Sequence, residues 1–97
     1  MSIAAVSVGV TATLIIAKND KRTKLVIDNQ SAQTVYLGDG DGVTAANGIT
    51  LAAGGKREET ANAIVPGKDP YFYFGNWYGI VNATTADVRV LELVTNR

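Results

Sequence analysis

The chain has 97 residues, nine basic and nine acidic, with neither cysteine nor histidine. That length fits one domain with a modest core, and the balanced charge gives no reason to seek nucleic acid or an anionic membrane. Disulfides and thiolate metal sites are excluded, and the commonest general base is missing.

Val, Ile, Thr and Tyr are plentiful, and Gly, Asn and Asp interrupt them at short intervals, a pattern that predicts strands throughout. Residues 1–10 carry no charged side chain and are expected to form an extended arm or a first strand, with 11–97 making the sandwich domain. An arm would add as a strand to another subunit. No basic flank marks a signal peptide here, and the apolar run 14–17 is too short to cross a bilayer, so a soluble protein made in the cytoplasm is expected. Residues 13–17 form a short apolar strand, and the cluster Lys18, Lys21, Arg22 and Lys24 that follows is read as a solvated turn. In 23–29, Leu25 and Ile27 share one face and Lys24, Val26 and Asp28 the other; in 34–38, Val35 and Leu37 face one way. These two strands are predicted to form a hairpin.

Asp39-Gly40-Asp41-Gly42 and Asn47-Gly48 bracket a loop before a strand at 49–52. Residues 56–60 are polar on both faces, as suits an edge strand. An irregular stretch with Pro66-Gly67 and Asp69-Pro70 leads into Tyr71, Phe72, Tyr73 and Phe74, then a strand at 77–81 and the longest at 87–94. Asn29 and Asn82 are each followed, after five residues, by an alternating strand; this echo would suit two hairpins of equal loop length, or equally arise by chance from a common strand–Asn–strand pattern, and is not read as a duplication. About eight short antiparallel strands predict an all-β, single-domain β-sandwich or jelly roll, with a small barrel as the other option.

Little here carries chemistry. Ser2, Ser7 and Ser31 lie outside any Gly-x-Ser-x-Gly turn, and the adjacent Glu58 and Glu59 would point to opposite faces of a strand. No catalytic residue, and so no enzyme, is expected. The Asp39–Gly42 phrase reads as a turn, because a calcium loop needs a third oxygen ligand and a distal Glu, and the next acid is Glu58. No metal or cofactor is expected. Asn82-Ala83-Thr84 matches a glycosylation acceptor, but nothing points to a secretory route. Strand alternation should bury Phe72 and Phe74 and expose Tyr71 and Tyr73. The apolar start and the aromatic cluster give the interface candidates Ile3, Val6, Val8, Val10, Tyr71, Tyr73, Trp77 and Tyr78. A homo-oligomer is expected.

Several phrases together carry a resemblance: Val-Ser-Val-Gly-Val-Thr-Ala-Thr with Leu-Ile-Ile-Ala, Leu-Val-Ile-Asp-Asn, Thr-Val-Tyr-Leu-Gly, Asn-Gly-Ile-Thr-Leu-Ala-Ala-Gly, Trp-Tyr-Gly-Ile-Val, and Ala-Asp-Val-Arg-Val-Leu-Glu. From Val6 to Glu92 the chain resembles small structural proteins of tailed bacteriophage virions, particularly capsid decoration (cement) proteins. The resemblance implies a trimeric β-sandwich on the capsid surface, assembled in the host cytoplasm, that bridges major capsid subunits. A tail, baseplate or head-fibre module, or a carbohydrate-binding sandwich using the aromatics, is the alternative.

Overall fold

A computed structural model describes residues 2–60 and 75–94. They form eight strands: β1 Ser2–Val8, β2 Thr13–Ile16, β3 Arg22–Asn29, β4 Val35–Gly38, β5 Ile49–Leu51, β6 Lys56–Thr60, β7 Trp77–Ile80 and β8 Ala86–Val94. The strands make two four-stranded antiparallel sheets, β1-β8-β3-β6 and β2-β7-β4-β5, and the fold is the expected β-sandwich. We call them sheet A and sheet B.

Alternation builds the core. Leu25 and Ile27 of β3, Ala86, Val88 and Val90 of β8 and Val8 of β1 face inward from sheet A; Val35 and Leu37 of β4, Leu51 of β5, Ile15 of β2 and Trp77 of β7 meet them from sheet B. Burying each large aliphatic side chain contributes about 1.5–3 kcal/mol. Gly79 of β7 faces the core: a Cβ there would lie 2.8 Å from Ile15 Cδ1 and 3.2 Å from Val35 Cγ1, on the strands to either side, and 3.4 Å from Val8 Cγ1 of the facing sheet. Its missing side chain is what admits those neighbours.

Consecutive strands of the described chain pair directly only once, β4 with β5. The hairpin expected between residues 23–29 and 34–38 is therefore not formed. β3 already has β8 and β6 on its two edges, so the chain turns at Asn29 and β4 joins the other sheet. The Asn29 and Asn82 echo marks the same event twice, since β7 to β8 is also a crossing between sheets and not a hairpin. Thr84, in that second corner, holds φ at 56°.

Both ends of β3 are fastened by a buried polar side chain to sheet B or to the segments that flank its strands. At one end Asn29 Nδ2 donates to the carbonyls of Gln33 (2.7 Å), Leu51 (3.2 Å) and Ala52 (3.1 Å), while its Oδ1 accepts from Ser31 N and Oγ. At the other, Arg22 donates from Nε to Glu92 of β8 (2.8 Å), from Nη1 to the Gly75 carbonyl (3.1 Å) and from Nη2 to that of Ala17 (2.7 Å). Arg22 is 1 % exposed, which corrects its assignment to a solvated turn. Those bonds satisfy its donors more fully than a surface position would.

Residues 2–8 are a strand of the domain's own sheet, registered against β8 from Ser2↔Glu92 to Val8↔Ala86. They are not an arm free to leave it, because Val8 lies fully within the core.

Candidate functional site

The predicted interface residues do not share one surface. Ile3 is 67 % exposed and Val10 54 % exposed, whereas Val8 and Trp77 are core residues. Val6 packs partly against that core, and Tyr78 is half-buried on the opposite sheet. Tyr71 and Tyr73, with Phe72 and Phe74, lie outside the described residues. Val8 and Trp77 therefore leave the list of docking residues: period-2 alternation carries both inward.

What the strands do assemble is a molecule with two unlike faces. Sheet A turns outward Asp87 and Arg89 on β8, Asp28 on β3, and Lys56 and Glu58 on β6, crossed by one apolar row of Ile3, Leu91 and Val26. Arg89 Nη2 donates to Asp87 Oδ2 at 2.9 Å. That hydrogen bond, with the charge of Arg89 adding to it, holds the Asp87 carboxyl below its usual value and raises Arg89 in turn. Sheet B turns outward Leu14 of β2, Tyr78 and Ile80 of β7, Tyr36 of β4 and Thr50 of β5. The register places Leu14 beside Tyr78 and Tyr36 between Ile80 and Thr50. None of these five carries a charge.

Tyrosine suits such a face, because its ring offers apolar area at low conformational cost and its hydroxyl stays able to bond. Tyr36 was not among the sequence candidates. The signal was nevertheless present, since Val35 and Leu37 facing inward leaves the tyrosine between them facing out.

The loop from β4 to β5 borders a cavity of about 290 Å³, lined by Gly38, Asp39, Gly40, Gly42, Val43 and Asn47. The loop is closed by its own groups: Thr44 N donates to Asn47 Oδ1 (2.7 Å), and Asn47 Nδ2 donates to the Gly42 carbonyl (3.2 Å). Val43 plugs it from inside, packed over Gly38. Among the described residues no group of three His, Cys, Asp or Glu side chains converges as a metal site.

A neighbouring groove of about 380 Å³ runs between the sheets past Leu37, Ile49, Arg57, Glu59 and Trp77. The Arg57 guanidinium lies 5.4 Å from the centre of the Trp77 ring, and Arg57 Nη2 is 3.6 Å from Glu59 Oε1. With its face under Arg57 and its body in the core, Trp77 is no platform for stacking a sugar ring.

Comparison with models of known families, with curated proteins and with solved structures finds no match.

Proposed function

We propose that this chain is a decoration protein of a tailed-phage virion, which docks the outer face of sheet B on the major capsid protein and bridges neighbouring subunits. The observation that carries the reading is the uncharged face of Leu14, Tyr36, Tyr78, Ile80 and Thr50, set opposite a face on which Asp28, Lys56, Glu58, Asp87 and Arg89 flank a single apolar row. A protein with one such face and one solvated face suits a one-sided attachment to a larger surface. The resemblance adds support, because its phrases fall largely on strands: Leu-Val-Ile-Asp-Asn on β3, Val-Tyr-Leu-Gly on β4, Trp-Tyr-Gly-Ile on β7, and Asp-Val-Arg-Val-Leu-Glu on β8. The role is mechanical, at the capsid surface, without catalysis or cofactor.

The test is cosedimentation of the purified protein with undecorated heads of the phage that encodes it. Wild type should pellet with the heads. The double variant Tyr36→Asp/Tyr78→Asp, with its β-sheet spectrum intact, should bind at least about tenfold more weakly, as expected when a charge is placed in a desolvated interface. Failure of the wild type to bind, or equal binding by a folded double variant, would overturn the proposal.

A further inference from the structure

The described strands leave four at the sheet edges, and an open edge invites pairing with another strand. Three of the four carry a feature that discourages it. β6 is Lys-Arg-Glu-Glu-Thr, charged along its length. β5 is three residues long, and β2 breaks register between Leu14 and Ile16. β1 has none of these protections. It is seven residues of Ser-Ile-Ala-Ala-Val-Ser-Val, without charge, proline or register shift, paired along its whole length to β8 on one side. Among the described residues nothing pairs with its other side.

We infer that β1 is a self-association edge, where a second copy of this chain adds its own β1 antiparallel about a two-fold axis through Ala5. The register that uses the full strand sets Ala5 against Ala5, Ile3 against Ser7 and Ala4 against Val6, each copy meeting the same seven uncharged residues. Antiparallel partners share a face, so the outward Ile3, Ala5 and Ser7 of one copy continue the outward row of the other. The two A sheets become one eight-stranded sheet with both cores on the same side. Small side chains at the centre let the backbones approach, and the 67 % exposed Ile3 gains Ser7 and Ala5 of the second copy as neighbours.

Electrostatics permits the join. Arg89 is the residue beside Ala5 on β8, so the two arginines stand three strand spacings apart, roughly 14 Å. That exceeds the ~10 Å screening length at 0.1 M salt, and each arginine is already paired with Asp87. A charged partner strand would have nothing on β1 to meet it, whereas a second β1 needs nothing. Strand pairing alone buries less than the ~1,200 Å² of a stable interface, so the dimer dissociates on dilution.

The experiment uses the absence of cysteine, which makes any disulfide in a single-cysteine variant intermolecular. Sedimentation equilibrium from about 1 μM to 1 mM should show a monomer–dimer equilibrium. Ala5→Lys, exposed and hence compatible with folding, should weaken it at least about tenfold. Oxidised Ala5→Cys should run as a covalent dimer, and Thr50→Cys on the β5 edge should crosslink far less. Wild type that stays monomeric at 1 mM, association unchanged by Ala5→Lys, or equal crosslinking at both sites overturns the inference. It does not depend on the capsid role: a monomer that binds heads would sink this inference alone, and a dimer that ignores them would sink only the other.

Discussion

The two ends of β3 are tied to the sheet B side of the sandwich through different chemistry, a guanidinium at Arg22 and a carboxamide at Asn29. Each gathers backbone carbonyls where the chain changes sheets, and each is almost wholly buried. Asn29 is neutral, so its burial requires only that its polar atoms find partners, which Gln33, Ser31, Leu51 and Ala52 supply. Arg22 brings a charge that must be desolvated, and Glu92 answers it at 2.8 Å with its side chain 14 % exposed. Close geometry offsets that cost but does not turn the pair into a large net source of stability. The carboxamide corner should thus contribute through fit, and the guanidinium end should matter most when half of it is removed.

The strongest test of that contrast is Arg22→Ala. It leaves Glu92 facing the interior and strips the Ala17 and Gly75 carbonyls of a donor, and should cost about 3–5 kcal/mol in urea unfolding. Asn29→Ala should cost less, about 2–3 kcal/mol, because it orphans carbonyls but no charge. Replacing both members of the ion pair, Arg22→Met/Glu92→Leu, should return stability to within about 1–2 kcal/mol of wild type. If the double variant is as unstable as Arg22→Ala, the carbonyl contacts and not the charge pair hold that end.

The smallest effect belongs to the exposed pair of sheet A. Asp87 titrates below its usual value in the folded chain, so its contribution is present above the ordinary carboxylate range. It is lost as pH falls through the depressed folded value. Arg89→Ala should raise the Asp87 carboxyl pKa toward normal in an NMR titration and hardly move Tm at pH 7. A large fall in Tm would mean that the charged face is structural as well as solvated.

Much of this architecture is legible in the residues. Leu25 and Ile27, Val35 and Leu37, and Val88 and Val90 alternate cleanly, and each pair lies inward as the period requires. The charged run 56–60 falls on an edge. Sheet membership was not legible, because a short polar link between two alternating strands serves a hairpin and a crossing equally well. What decides is Asn29, in phase with Leu25 and Ile27 and so aimed into the core, where Leu51 and Ala52 reach it from a distant part of the chain. Arg22 gave less warning still: three residues from Leu25 it should face the other way, but β3 shifts register between Arg22 and Lys24 and the arginine turns inward, hidden in the sequence among neighbouring lysines. The outer face of sheet B was half visible, Tyr78 through its aromatic neighbours and Tyr36 only through the alternation around it.

The pairing of β1 with β8 bears on how the domain is born. β8, the last of the described strands to be made, is a central strand of sheet A, and both β1 and β3 depend on it for a partner. Until β8 leaves the ribosome, Val8, Leu25 and Ile27 have no Ala86, Val88 or Val90 beside them. Contacts so distant in sequence form slowly, so folding should begin only after synthesis of the domain is complete. Chains ending at Thr85 should show no β-sheet spectrum and should be cut readily by protease, and a protected fragment would contradict this order. The seven uncharged residues of β1 therefore wait with both edges bare until β8 is made, longer than any other described strand.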